Sequence, residues 1–157
     1  MPYFVLHEHH SKRLHFDFRL EMEGVLKSWA IPKGPSMSPQ DKRLAIMVDD
    51  HLMEYGTFEG IIPDGEYGAG PVLIWDSGEY DLLSGSVGKG PIEFTLHGKK
   101  LKGTFVLLKL KLKKKEPEWL LIKKKDDFAV TSYRIKAALT DARLKKLKVK
   151  TPPCQTQ

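Results

Sequence analysis

The sequence predicts a mainly β protein: a compact antiparallel β-barrel with short helices and a C-terminal amphipathic helix. Three observations carry this. Turn signals recur at short intervals, at Pro32-Lys33-Gly34-Pro35, Pro63-Asp64-Gly65, Gly68-Ala69-Gly70, Asp76-Ser77-Gly78 and Gly88-Lys89-Gly90. Short runs rich in β-branched and aromatic residues lie between them. Only one stretch has helical periodicity. So many strands would expose long edges, and closure into a barrel removes them.

Taken in order, the expected strands include Phe4–Leu6, Leu44–Val48, Val72–Trp75, Ile92–Leu96, Gly103–Leu110 and Trp119–Lys123. Polar and apolar residues alternate strictly along His15-Phe16-Asp17-Phe18-Arg19-Leu20. A strand here puts His15, Asp17 and Arg19 on one face and Phe16, Phe18 and Leu20 on the other. In Lys109-Leu110-Lys111-Leu112-Lys113 the leucines are expected to face the core and the lysines water. Residues 133–149 read as a basic amphipathic helix capped near Thr140-Asp141, and residues 150–157 as a frayed tail.

The 157 residues, 41% hydrophobic and 29% charged, suit a single domain with a real core. No apolar run approaches the ~18 residues of a membrane helix, and the opening residues turn polar at once. No membrane partner is expected. Cys154 is the sole cysteine, which rules out an internal disulfide and cysteine-rich metal sites and suggests a reducing cytoplasm.

The charge is divided. Residues 1–98 hold eight Lys or Arg against fifteen Asp or Glu, a net −7, whereas residues 99–157 hold eighteen against five, a net +13. The second half suits a phosphate polymer. Its lysines, at 99, 100, 102, 109, 111, 113–115 and 123–125, fit backbone attraction better than base readout. A merely solvated surface is the plain alternative.

His9-x5-His15-x-Asp17 is the sharpest local feature. Imidazole and carboxylate are good ligands for divalent transition metals, and residues i and i+2 of a strand share a face. Three protein ligands would leave positions open for water or substrate. The plain alternative is a surface hydrogen bond. His7 and His10 either face solvent, or one of them replaces His9 as ligand. Arg19 follows on the same face, where it either pairs with an acid or binds a phosphate or carboxylate beside the ion. Arg43, Asp49, His51 and Tyr55 share parity, so an extended segment would aim them together and suit an oxyanion. Gly65-Glu66-Tyr67-Gly68-Ala69-Gly70 has no strand–loop–helix context and is expected to form a tight turn, not a nucleotide cradle.

The segments FVLHEHHSKRLHFDFRLEMEGVLKSWAIPKGPS, KRLAIMVDDHLMEYGTFEGIIPDGEYGAGPVLIWDSGEY and, later, LKGTFVLLKL and EPEWLLIKKKD closely resemble the 3′-phosphoesterase domain of bacterial and archaeal DNA ligase D. The resemblance runs from about Phe4 to Asp127 and suggests a free-standing form of the domain, without the longer N-terminal arm common in the family. It implies a Mn2+-dependent end-joining enzyme, with Co2+ or Zn2+ as other candidate ions. That enzyme trims a 3′-terminal ribonucleoside from a primer and then removes the 3′-phosphate. It implies His9, His15 and Asp17 as metal ligands, and Arg19, Arg43, His51 and Tyr55 around the scissile phosphate. Asp49 stands where the family carries glutamate. Implied partners are a DNA primer–template or an RNA/DNA 3′ end, a separate ligase or polymerase, and Ku. Two rival readings of the residues are a non-haem metal oxygenase and a non-catalytic nucleic-acid-binding barrel.

Overall fold

The computed structural model describes residues 1–111 and 117–153. Among them are nine strands: β1 (Tyr3–His10), β2 (Leu14–Met22), β3 (Val25–Ile31), β4 (Lys42–His51), β5 (Gly60–Ile62), β6 (Gly70–Ser86), β7 (Lys89–His97), β8 (Lys102–Lys109) and β9 (Glu118–Lys123). Eight close into an antiparallel barrel in the order β1-β2-β3-β4-β9-β8-β7-β6, with β6 returning to β1 and β5 added beside β6.

Closure depends on the 17 residues of β6, which pair first with β1 (Val72 to Glu79) and then with β7 (Glu79 to Ser86). Asp76-Ser77-Gly78, expected as a turn, therefore lies inside a strand. The Asp76 carboxylate accepts N–H bonds from Ser77, Lys99, Lys100 and Leu101 at 2.7–3.0 Å. It caps the turn between β7 and β8 instead of opening one of its own. The expected turns at residues 32–35, 63–65 and 88 are present.

The alternation of β2 is realised. Phe16, Phe18 and Leu20 enter the barrel core, where Phe18 stacks on Phe94 with centroids 5.7 Å apart. Along β8 the inward side is apolar. Phe105 and Leu107 face inward, Leu108 is exposed, and Lys109 lays its amine 6.0 Å from the Trp119 ring centroid. At the strand's end Lys109 is exposed and Leu110 half-buried. Leu112 and Lys113–Lys115 lie outside the described residues.

The expected helix over 133–149 shrinks to α1 (Asp141–Lys146), six residues N-capped by Thr140, whose side chain accepts the Arg143 N–H at 3.1 Å. The chain before it is in neither helix nor strand. Tyr133, Ile135 and Ala138 pack on the core, Trp75 Nε1–H donates to the Lys136 carbonyl (2.8 Å), and buried Glu8 accepts the Ala138 and Leu139 N–H groups (2.5 and 3.0 Å). After α1 the chain joins β5: Ile61 N–H donates to Lys148 O and Lys150 N–H to Ile61 O (2.9 and 3.0 Å). Tertiary partners for the backbone here outweigh a weak helical period. Of the tail, residues 154–157, Cys154 included, lie outside the described residues.

The outward face of β1–β3 carries a second apolar cluster, Leu26, Tyr55, Phe58, Ile62 and Val72, supplied largely by the segment between β4 and β6. A 3₁₀ turn, Met53–Thr57, begins that segment. It forms a roof over the polar outer residues of β1 and β2.

Candidate active site

His9 and His15 are directly paired across β1 and β2, with ring centroids 4.7 Å apart. Asp17, two residues on, brings one carboxylate oxygen to both: Oδ2 lies 3.3 Å from His9 Nδ1 and 3.3 Å from His15 Nε2. The remaining ring nitrogens meet backbone carbonyls, His9 Nε2 at Gly68 O (2.6 Å) and His15 Nδ1 at Arg13 O (3.2 Å). A carbonyl can only accept, so those outer nitrogens carry the protons. In the neutral rings the inner nitrogens then present lone pairs toward a carboxylate, an arrangement that calls for a cation among them. Orientation of ligand imidazoles by outer-shell carbonyls is a hallmark of metal sites. The ligand atoms lie within 4.8 Å of one another. Burial pushes the Asp17 carboxyl up, but the imidazoles of His15 and His9 and the Arg19 charge outweigh it and hold the group well below the usual carboxylate range. The donor set fits a divalent transition ion.

Arg19 is buried beside this cluster. Its Nε–H donates to His7 Nδ1 (3.1 Å) and Nη1 to Ser28 Oγ (2.9 Å), and Nη1 also meets His51 Nδ1 (3.1 Å). Its guanidinium carbon sits 4.6 Å from the Tyr55 ring centroid. Nη2 stands 3.5 Å from Asp17 Oδ2, an ion-pair distance. Nη2 is thus the arm left to an anion on the metal side, while the rest of the fork is anchored.

His51 reaches this face through a bulge. Ser28 pairs with Val48 but Leu26 with His51, so β4 holds one extra residue there. Without it, His51 would point into the barrel. The shared parity expected for Arg43, Asp49, His51 and Tyr55 therefore does not hold. Arg43 pairs with Leu121 on the inner register, and its Nη2 meets Asp41 at 3.6 Å. Its buried Nε has no hydrogen bond among the described residues. Asp49 is exposed in the bulge, and its carbonyl lies 3.0 Å from His51 Nδ1. Tyr55 sits on the 3₁₀ turn and packs edge-on against His51, centroids 4.6 Å apart. The structure joins Arg19, His51 and Tyr55, and no contact among the described residues ties Arg43 to them.

His7, expected at the surface or as a ligand, is fully buried and is neither. It bridges Arg19 to the roof, with Nε2–H donating to Phe58 O at 3.0 Å. His10 turns to Glu8 instead, at 2.6 Å. Burial and the neighbouring Arg19 charge lower the His7 pKa from 6.5 to about 3. The unfolded chain binds this proton near pH 6.5 and the folded chain does not. His7 stabilises the fold fully above that value, and the contribution is lost as pH falls toward 3. His15, whose pKa burial would lower but Asp17 raises, works in the opposite sense. Comparing wild type with His7→Gln isolates the first effect. Between pH 7.5 and 5 the wild type is expected to lose about 2 kcal/mol more than the variant, measured by urea unfolding.

Fold and site together define a β-barrel protein with a candidate divalent-metal and oxyanion centre on its outer wall. The family model described as the DNA Ligase D 3′-phosphoesterase domain matches residues 7–109. The chain is 47% identical over 126 residues to the multifunctional non-homologous end joining protein LigD of Pseudomonas aeruginosa, covering 78% of this chain and 15% of that protein. It is 49% identical over 108 residues to the multifunctional non-homologous end joining DNA repair protein LigD of Mycobacterium tuberculosis, covering 68% and 14%. The LigD protein of Mycolicibacterium smegmatis is 44% identical over 132 residues, covering 78% and 17%. The chain belongs to the DNA ligase D 3′-phosphoesterase domain family. Its match spans only about a sixth of the length of these relatives.

Proposed function

We propose that this chain hydrolyses phosphoesters at DNA 3′ ends during end joining. It removes a 3′-terminal ribonucleoside to leave a 3′-phosphate, then removes that phosphate to leave a 3′-hydroxyl. One observation carries the reading: Arg19 Nη2 lies beside the carboxylate oxygen on which His9 and His15 converge. A phosphate seated there meets a fixed guanidinium next to a metal-ligand set.

His9, His15 and Asp17 would hold the ion, with Mn2+ proposed and Co2+ or Zn2+ as alternatives. Such an ion supplies Lewis-acid charge to a phosphate oxygen. Arg19 binds a second oxygen through Nη2 and offsets the charge that grows in the transition state. Burial and Arg19 lower the His51 pKa from 6.5 to about 4. Its ring is thus neutral at pH 7, and an arriving phosphate dianion favours the protonated ring, which can donate to a phosphate oxygen. Tyr55 fixes the facing of both Arg19 and His51. Arg43, tied to Asp41, and Asp49, exposed at the bulge, take no step in this scheme.

The proposed substrate is a DNA primer–template or an RNA/DNA 3′ end in the cytoplasm of a bacterium or archaeon. A separate ligase or polymerase and Ku are the proposed partners. No helix among the described residues is long and apolar enough to cross a membrane. Support for a polyanion comes from a groove of about 290 Å³ lined by Glu59, Arg143, Lys146, Leu147, Lys148 and Lys150. It adjoins the roof, where Lys150 Nζ sits 5.3 Å from the Phe58 ring centroid. Changing Lys146, Lys148 and Lys150 together to Gln is expected to lower the slope of log affinity against log salt for duplex DNA by about 2–3. Fluorescence anisotropy across a salt series checks this.

The functional test is a primer–template bearing one 3′-ribonucleotide, incubated with the chain and Mn2+. Gel analysis should show a shortened strand ending first in phosphate and then in hydroxyl, and chelator should prevent both. Unchanged primer in Mn2+ would refute the assignment.

A further inference from the structure

Tyr67 is 91% exposed. Aromatic rings usually gain from burial, and one left bare keeps a large apolar face free for a ligand. The loop that presents it is pinned. Gly65 and Gly68 adopt left-handed φ values of 89° and 76°, which favour glycine. Ala69 N–H donates to Glu66 O and Thr151 Oγ1 to Glu66 Oε2, both at 3.2 Å. Gly68 O takes the His9 Nε2 proton at 2.6 Å. Tyr67 is therefore the chain neighbour of the residue that orients a candidate metal ligand, with adjacent Cα atoms about 3.8 Å apart.

A phosphoester seated between His9 and Arg19 carries a nucleoside on one side. We infer that Tyr67 is the stacking platform for the base of that terminal nucleotide, a role that rests on the 3′-end reading above. An aromatic face accepts any base, so the contact would position the end without selecting its sequence. The hydroxyl is not needed for stacking, and Tyr67→Phe should serve as well.

The test is equilibrium binding of the full chain to a primer–template whose 3′-terminal base is 2-aminopurine, in chelator so that nothing is cleaved. Wild type and Tyr67→Phe are expected to quench the probe on binding. Tyr67→Ala should bind about tenfold more weakly and leave the probe bright. With an abasic 3′ terminus, wild type and Tyr67→Ala should bind alike. Quenching absent in wild type or unchanged in Tyr67→Ala, or an equal loss on the abasic duplex, would overturn the inference. Because no bond is cleaved, a failure of 3′-end hydrolysis would count against the proposed reaction and not against the ring.

Discussion

Asp17→Asn is expected to abolish turnover while the barrel remains folded. The substitution keeps the volume and one oxygen but removes the charge on which three groups depend. His9, His15 and Arg19 all approach the same oxygen, at 3.3, 3.3 and 3.5 Å. A neutral amide is a poor ligand for a divalent ion beside two neutral imidazoles, so both the ion and the phosphate held against it are lost. The expected fall in kcat/KM is on the order of 10³-fold or more, the scale associated with losing a principal electrostatic contact at the reacting phosphate. The fold should survive, because the core residues of β2 face the other way. A stability loss of about 1–3 kcal/mol is expected from weakening the buried pair with Arg19. Steady-state kinetics with circular dichroism and thermal unfolding on one preparation check both parts. A folded Asp17→Asn chain with full activity would remove the metal site from the account.

Arg19→Met should damage stability and chemistry together. The side chain is 2% exposed, and its fork supports His7, Ser28 and His51. Methionine fills part of the space and satisfies none of these groups. The Asp17 charge is also left buried without its cation. Breaking a buried pair in this way costs about 3–5 kcal/mol. The loss of Nη2 removes the phosphate contact, so kcat/KM is expected to fall by roughly 10²–10³ in the protein that remains folded. Arg19→Lys should recover little of either, because one ammonium cannot reach three differently placed acceptors. Urea unfolding and 3′-phosphate hydrolysis separate the two effects. A Lys variant as active as wild type would show that charge alone matters and would contradict the anchored-fork geometry.

Much of this site is legible in the alternation of β2. A strict two-residue period places His15, Asp17 and Arg19 on one face whatever the rest of the chain does. His9 follows because a short connection brings β1 back beside β2 in register. What escapes the sequence depends on partners distant along the chain. His7 looks like its neighbours in a histidine-rich stretch, and only the roof carbonyl of Phe58 and the fork of Arg19 make it a buried bridge. Ser28 offers no local signal at all. Parity misplaces Arg43 and Asp49 relative to His51, because one inserted residue in β4 reverses the facing of everything beyond it. Asp76 resembles a turn former and does cap a turn, but the one between β7 and β8. The period of residues 133–149 suggests a helix, yet Glu8 and β5 claim the backbone bonds that most of that helix would have needed.

The most direct measurement is a Mn2+ titration of the full chain followed by electron paramagnetic resonance, with Asp17→Asn in parallel. One ion per chain bound by wild type, with its binding lost in Asp17→Asn, is the predicted result. A folded wild-type chain that leaves all the manganese free in solution would contradict the claim that two imidazoles and a carboxylate on the barrel wall grip one dication.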